Sequence, residues 1–323
     1  MSVSPSGSSP LLDRAHGSDS IHARLLAPVI EAGRTGQTIT IEPEALERAE
    51  LIRDCSPARL WTDLTAALCG KHPHVAMQTL HDAGLLIHVL PELAATVDFS
   101  QESGRRHKDV WEHTKTVVWQ SVPRPEIRWA AALHDIGKVP TRRFLPEGKV
   151  TFHGHAEVGV RMFLRGPAKR IEFPPAARER IAELIRHHLR PGQYDASWTE
   201  SAIRRFAREL GPHLDDLLLL SRADVTSKRP GKRKRCLRSI TALSHEIRRL
   251  AAEDAKPKPL PSGLGNMLMS ALELPPGKHI GELRSRLQAL FDAGEIAGGR
   301  EADYYVEQVR ERDLLAGVDV RKP

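Results

Sequence analysis

With 323 residues, 40% of them hydrophobic and 28% charged, the chain is long enough for two or three modules around a sizeable core. No apolar run reaches the ~18 residues of a membrane helix, the N-terminus lacks an apolar signal core, and three cysteines without a Cys-x-x-Cys exclude a disulfide scaffold, so a cytoplasmic protein with reduced thiols is expected. A net charge of +7 favours a polyanionic partner, either nucleic acid or a phosphorylated small molecule, while 5% aromatic residues argue against an extended base-stacking platform.

Residues 1–20 are rich in Ser, Pro and Gly and are expected to form a disordered tail. From Ile21 to Leu93 the apolar spacing is helical apart from a brief extended entry at Ile39-Thr-Ile41. Ser56-Pro57 reads as an N-cap followed by a first helical residue, ahead of the stripe Leu60, Leu64, Ala67 and Leu68. His74 to His81 is a further short helix, and Leu85 to Pro91 is an apolar stretch that stops at a proline. Residues 99–108 read as a polar loop carrying Arg105, Arg106 and Lys108.

The helix from Asp109 to about Gln120 places Val110, Val117 and Val118 around His113, which turns that histidine inward. After Pro123 and Pro125, an apolar helix from Ile127 to Leu133 delivers His134-Asp135. Gly137 is expected to let the chain turn there, so that both side chains meet one small object. Val139 to Phe152 is a proline- and glycine-containing loop over the mouth of that site. His155 opens a helix at Ala156–Leu164. In the helix Ala176–Leu189, His188 continues the stripe of Ile181, Leu184 and Ile185, and His187 is rotated about 100° away. Asp224 continues the stripe of Leu217 and Leu220 in a helix from Leu214 to about Val225.

Six basic residues in eight follow (Lys228, Arg229, Lys232, Arg233, Lys234 and Arg235), a candidate nucleic-acid contact. A helix from Arg238 to Ala252, a proline-rich linker at 256–261 and a tail of three short helices complete an all-α chain. Histidines and carboxylates on the apolar faces of separate helices are costly to bury unless paired or bound to metal. Mixed oxygen and imidazole donors admit Mn, Fe, Co, Ni, Zn or Mg without choosing among them.

The order His113, His134-Asp135, Asp224, with His155 and His187-His188 between, resembles the HD superfamily of metal-dependent phosphohydrolases, and His134-Asp-Ile-Gly-Lys138 resembles its HDIG form. The resemblance implies an HD-domain helical bundle. In it His113, His134, Asp135 and Asp224 hold a first divalent ion. His155 and His188, with His187 as a candidate, add a second ion bridged by Asp135. Asp135 and Lys138 are then the catalytic pair, Lys138 reaching a phosphate oxygen, with Arg105, Arg106 or Lys108 approaching from their loop.

Ile39-Thr-Ile-Glu-Pro-Glu44, Leu85 to Leu93, and Leu274-Pro-Pro-Gly-Lys-His-Ile-Gly281 with Ala293-Gly-Glu-Ile296 resemble the neck and tail of bacterial CCA-adding enzymes and poly(A) polymerases. The nucleotidyltransferase head of that family, with its Gly-rich strand-turn and Asp-x-Asp pair, has no counterpart in these residues, so CCA addition by them alone is not expected. The organisation this implies is a tail at 1–20, a helical neck at 21–98, an HD domain at 99–255 and a helical tail at 256–323. The implied activity is metal-dependent hydrolysis of a nucleotide or RNA-end phosphoester; HD-containing members of the CCA family are associated with 2′,3′-cyclic phosphodiesterase, 2′-nucleotidase and phosphatase activity. The alternatives are an RNA- or tRNA-binding body that works with a separate head, and a regulatory protein that binds a nucleotide without cleaving it.

Overall fold

The computed structural model describes residues 10–99, 109–146, 150–227, 229–255 and 259–319. The fold is all-α, and the only strands among the described residues are the two-residue β1 (Arg143–Phe144) and β2 (Val150–Thr151). The chain divides into two compact units, residues 1–247 and 248–323.

The first unit opens with α1 (Pro10–Thr35), α2 (Pro57–Cys69) and α3 (Pro73–Asp82), which pack on one another. Of the tail expected over residues 1–20, residues 1–9 lie outside the described residues and the rest fall within α1. α1 turns Leu25, Leu26, Val29 and Ala32 into the core at helical spacing. α2 starts as its sequence predicts: the Ser56 hydroxyl accepts from the Arg59 N–H, and Pro57 takes the first helical position, where a missing N–H costs nothing.

The rest of the unit is built from α4 (Val110–Gln120), α5 (Pro125–Leu133), β1, β2, α6 (His155–Arg165), α7 (Pro175–His187), α8 (Glu200–Leu210) and α9 (Leu214–Ala223). α5 is its axis, packed against α2, α4, α7 and α9, with Ile127 through Leu133 all buried. A helix buried on every side needs small residues where neighbours approach, and Ala130-Ala131-Ala132 supplies them. Trp129 locks its position. The indole N–H donates to Thr65 Oγ1 at 2.8 Å, and the ring lies 6.1 Å from Trp61 and 4.9 Å from Phe173, centroid to centroid. Buried Arg128 donates to the carbonyls of Val118 and Val122, at and just beyond the end of α4.

Three elements differ from the sequence-based expectation. α8 has no counterpart in it; Thr199 caps this helix by accepting from the Ala202 N–H, and Ile203, Phe206 and Leu210 bury its apolar side. Residues 139–152 are not a plain loop. A helical turn (Lys138–Thr141) leads into β1, which pairs antiparallel with β2, Arg143 opposite Thr151 and Phe144 opposite Val150. The basic run does not precede its helix but opens it: α10 spans Pro230–Asp254, with proline at its start, where a missing N–H is tolerated.

The second unit holds the three expected short helices, α11 (Leu264–Ala271), α12 (Lys278–Asp292) and α13 (Ala302–Glu311), around Leu264, Leu268, Leu283, Leu287, Tyr305 and Val309. No helix among the described residues is long and apolar enough to cross a membrane.

Candidate metal centre

Three helices end at one point. His134 is the C-terminal cap of α5, His188 that of α7, and Asp224 that of α9. His155 is the first residue of α6, aimed by Gly154, whose φ of +72° turns the chain into that helix. Only His113 comes from the interior of a helix, α4, which Asp109 caps by accepting from the Trp111 N–H. The negative ends of three helix dipoles therefore meet two carboxylates, an arrangement that favours bound positive charge.

The donor atoms fall into two groups, His113, His134 and Asp224 in one and Asp135, His155 and His188 in the other. In the first, His113 Nε2 lies 3.1 Å from Asp224 Oδ1 and 3.2 Å from His134 Nε2. In the second, the Nε2 atoms of His155 and His188 are 3.2 Å apart. Asp135 serves both. Its Oδ2 is 3.4 Å from His113 Nε2 and 3.2 Å from His134 Nε2, while its Oδ1 is 3.4 Å from His155 Nε2 and 3.9 Å from His188 Nε2. The separations of 3.1–3.4 Å would allow neighbouring donors to share an ion at bonds of about 2.0–2.2 Å.

The hydrogen-bond chemistry fits a cation as well. His134, His155 and His188 direct Nδ1 at the carbonyls of Ala131, Phe152 and Ile185, at 2.8, 2.9 and 2.7 Å. A carbonyl only accepts, so each Nδ1 carries a proton, which leaves Nε2 as the ring atom that could give a lone pair to a metal. Lone pairs and carboxylate oxygens crowded together are stable only around positive charge. The protein's own cations answer this in part. Burial opposes a charge on His113, yet hydrogen bonds to Asp135 and Asp224 lift its pKa from 6.5 to about 9. Burial also works against Asp224, but the hydrogen bond with His113 brings it down to about 2. Asp135 is held well below its ordinary range by His134 and Lys138 despite its burial. Burial pushes His188 down to about 4 and lowers His155.

His187, the remaining candidate ligand, is in neither group. Its Nε2 lies 3.3 Å from Glu183 one turn back on α7, as expected for a side chain rotated off the apolar face. Lys138 donates to Asp135 Oδ2 at 2.6 Å. Arg105, Arg106 and Lys108 lie outside the described residues. Arg229, Lys232, Arg233, Lys234 and Arg235 are all exposed, and Lys228 lies outside the described residues. Thr226 is a residue of the centre that the sequence reading misses. Its hydroxyl meets His113 Nδ1 at 2.9 Å and so completes the set of Nδ1 partners. A hydroxyl two residues after Asp224 is the one signal that points to it.

Gly137 is present for a different reason from the one expected. Its φ is −67°, open to any residue. A Cβ there would lie 2.0 Å from the His155 carbonyl oxygen and 2.6 Å from the Gly159 nitrogen. The side chain is absent so that the His134-Asp135 turn can touch the start of α6.

Residues 94–229 match the HD domain family, and residues 40–96 match the family described as the probable RNA and SrmB-binding site of polymerase A. A CC-adding tRNA nucleotidyltransferase of Thermus thermophilus is 33% identical over 282 residues, covering 84% of this chain and 59% of the relative. An A-adding tRNA nucleotidyltransferase of Deinococcus radiodurans is 30% identical over 289 residues, 85% of this chain and 65% of the relative. A multifunctional CCA protein of Aliivibrio salmonicida is 27% identical over 201 residues, 57% and 48% of the two chains. The chain thus spans less than two thirds of the length of these relatives. It carries an HD domain next to a poly(A)-polymerase-type RNA-binding segment and is homologous to the CCA-adding enzymes over their body and tail region.

Proposed function

We propose that the HD centre hydrolyses a phosphoester of a nucleotide or of an RNA end. The observation that carries this reading is the division of Asp135 between the two groups, one carboxylate oxygen to each, which suits two divalent ions bridged by one residue. Divalent ions there would acidify water from a pKa of 15.7 to about 7 and screen phosphate charge. The chain's own residues do the rest. Asp135 fixes the spacing, the histidines are held by their Nδ1 partners, and Lys138 is placed to exchange Asp135 for a phosphate oxygen. The opening lies toward Asp224 and His113, whose side chains are 27% and 16% exposed, whereas His134 and His188 are at 1%. The test is turnover of 2′,3′-cyclic nucleotides and simple phosphoesters by protein loaded with Mn, Co or Ni. No turnover with any metal would overturn the proposal.

A second role, RNA binding through α10, has its own support. Five exposed cations, from Arg229 to Arg235, flank and fill the first turns of a 25-residue helix, where they add to the positive dipole end instead of offsetting it. Arg233, Lys234, Arg238 and His245 line a groove of about 740 Å³ on the same helix. A polyanion relieves that repulsion. The proposed division, neck 21–98, HD domain 99–255 and tail 256–323, sets this helix at the end of the HD domain. tRNA titrated against wild type and a variant with Lys232, Arg233, Lys234 and Arg235 changed to Gln should show weaker binding and a shallower salt slope for the variant, by up to about 0.9 for each phosphate that the variant leaves unneutralised. Equal, salt-insensitive binding would count against it.

Two further outcomes follow from the ligand set. Thr226→Val keeps the shape of residue 226 but leaves His113 Nδ1 without its partner; metal affinity measured by calorimetry should fall about 10- to 100-fold with the melting temperature little changed. Metal binding should also be steeply pH-dependent. With a pKa of about 9, His113 is protonated at neutral pH, and a metal must displace that proton. Affinity should rise about tenfold per pH unit between 6.5 and 9 and then level off, with proton release seen in buffers of different ionisation enthalpy. The metal-free protein should move the other way. The raised pKa stabilises it fully below 6.5, and that contribution fades as pH rises through about 9. Metal affinity that is flat across this window would contradict the assignment.

A further inference from the structure

We infer that the hairpin beside the metal centre is a nucleobase subsite, in which Phe144, Arg142 and Phe152 hold the base of a nucleotide whose phosphate reaches Lys138 and Asp135. This rests on the phosphohydrolase reading and adds what that site selects.

Three of the seven phenylalanines, Phe99, Phe144 and Phe152, gather here, and none is fully buried. Phe144 is 67% exposed, with Leu145 beside it at 43%. The Arg142 guanidinium lies 4.1 Å from the Phe99 ring centre and 5.2 Å from that of Phe144. Phe99 and Phe152 are 6.4 Å apart, centroid to centroid. The hairpin register explains the grouping. Arg143 pairs with Thr151 and Phe144 with Val150, so Arg142 and Phe152 are the residues next to the first pair, and alternate residues such as Arg142 and Phe144 share a face.

What ties this surface to catalysis is Lys138. Its ammonium lies 5.7 Å from the Phe152 ring centre and 2.6 Å from Asp135 Oδ2. The Phe152 carbonyl also accepts from His155 Nδ1, so this residue adjoins a ligand of the second group. The Phe152 ring, the Lys138 ammonium and Asp135 Oδ2 thus follow one another at 5.7 and 2.6 Å, within the reach of one nucleotide. An exposed ring and a planar guanidinium are the groups on which bases stack, without reading their identity. The subsite therefore takes any base but favours a nucleotide over an ester without one.

The test compares a 2′,3′-cyclic nucleotide with glycerol 1,2-cyclic phosphate, which has the same cyclic ester and no base. Phe144→Ala should lower the ratio of the two kcat/KM values about tenfold, mainly through the nucleotide KM, and Phe144→Tyr should preserve it. Arg142→Lys, which keeps the charge but loses the plane, should lower the ratio as well. A ratio unchanged in Phe144→Ala overturns the inference. A short RNA ending in the cyclic phosphate, run beside the mononucleotide, shows whether the base belongs to a free nucleotide or to a chain end; a ratio that moves for either supports the subsite. If wild type hydrolyses neither ester, the phosphohydrolase reading fails, and calorimetric binding of AMP then decides the subsite alone. Weaker binding by Phe144→Ala supports it, and equal binding overturns it.

Discussion

Asp135→Asn is expected to empty both halves of the centre. The amide preserves the shape of Asp135 but removes the one charge that the two groups share. Metal content measured by elemental analysis should fall to background, and phosphoester turnover should drop by more than the roughly 10²-fold typical of losing an outer partner of a metal ligand. Metal-free protein should lose stability too, because Lys138 and protonated His113 each lose Asp135 as a counter-charge, although His113 keeps Asp224; breaking a buried ion pair from one side costs about 3–5 kcal/mol. Lys138 recovers part of that by swinging its long stem toward water. Lys138→Met separates the two roles of this lysine. It removes a cation that competes for Asp135, so metal should bind more tightly, while turnover falls if the ammonium receives a phosphate oxygen. Wild-type metal content in Asp135→Asn would refute the bridging role.

Much of this centre is legible in the sequence because its ligands interrupt apolar stripes. His188 separates from His187 on period alone, and the structure has His188 in the second group and His187 against Glu183. Asp224 and His113 declare themselves the same way. The features that escape are those created by tertiary contact. Beyond its place two residues after Asp224, nothing local says that Thr226 will meet a histidine 113 positions earlier, and nothing says that Phe99 will face Phe152. Strands of two residues are too short to show alternation, so the hairpin reads as loop. The basic run reads as preceding its helix because its charges mask any apolar period, and α10 is amphipathic only from about Leu237 onward. Each of the three expected helices stops within a residue of its ligand, as the structure has it; what no single helix shows is that the three ends meet.

Gly137→Ala is the substitution expected to do most damage with the fewest atoms. The added methyl would sit 2.0 Å from the His155 carbonyl oxygen and 2.6 Å from the Gly159 nitrogen, both backbone atoms of α6 that cannot rotate aside. The His134-Asp135 turn and α6 must separate. Overpacking of this kind costs about 1–3 kcal/mol, and a clash against backbone belongs at the upper end. The damage should be uneven. His113, His134 and Asp224 reach the centre from α4, α5 and α9, whereas the second group needs His155 on α6 to stay beside Asp135. Metal content should therefore fall first in the second group, and the melting temperature should gain less from added metal than in wild type. Gly159→Ala is the control on the other side of the same contact. A Cβ there meets Ile185 Cγ2 at 3.4 Å and the Gly137 nitrogen at 3.6 Å, ordinary contact distances. As a glycine inside a helix, residue 159 should tolerate alanine or gain up to about 1 kcal/mol from it. If Gly137→Ala matched wild type in melting temperature and metal content, the close approach of the turn to α6 would not be what holds the second group together.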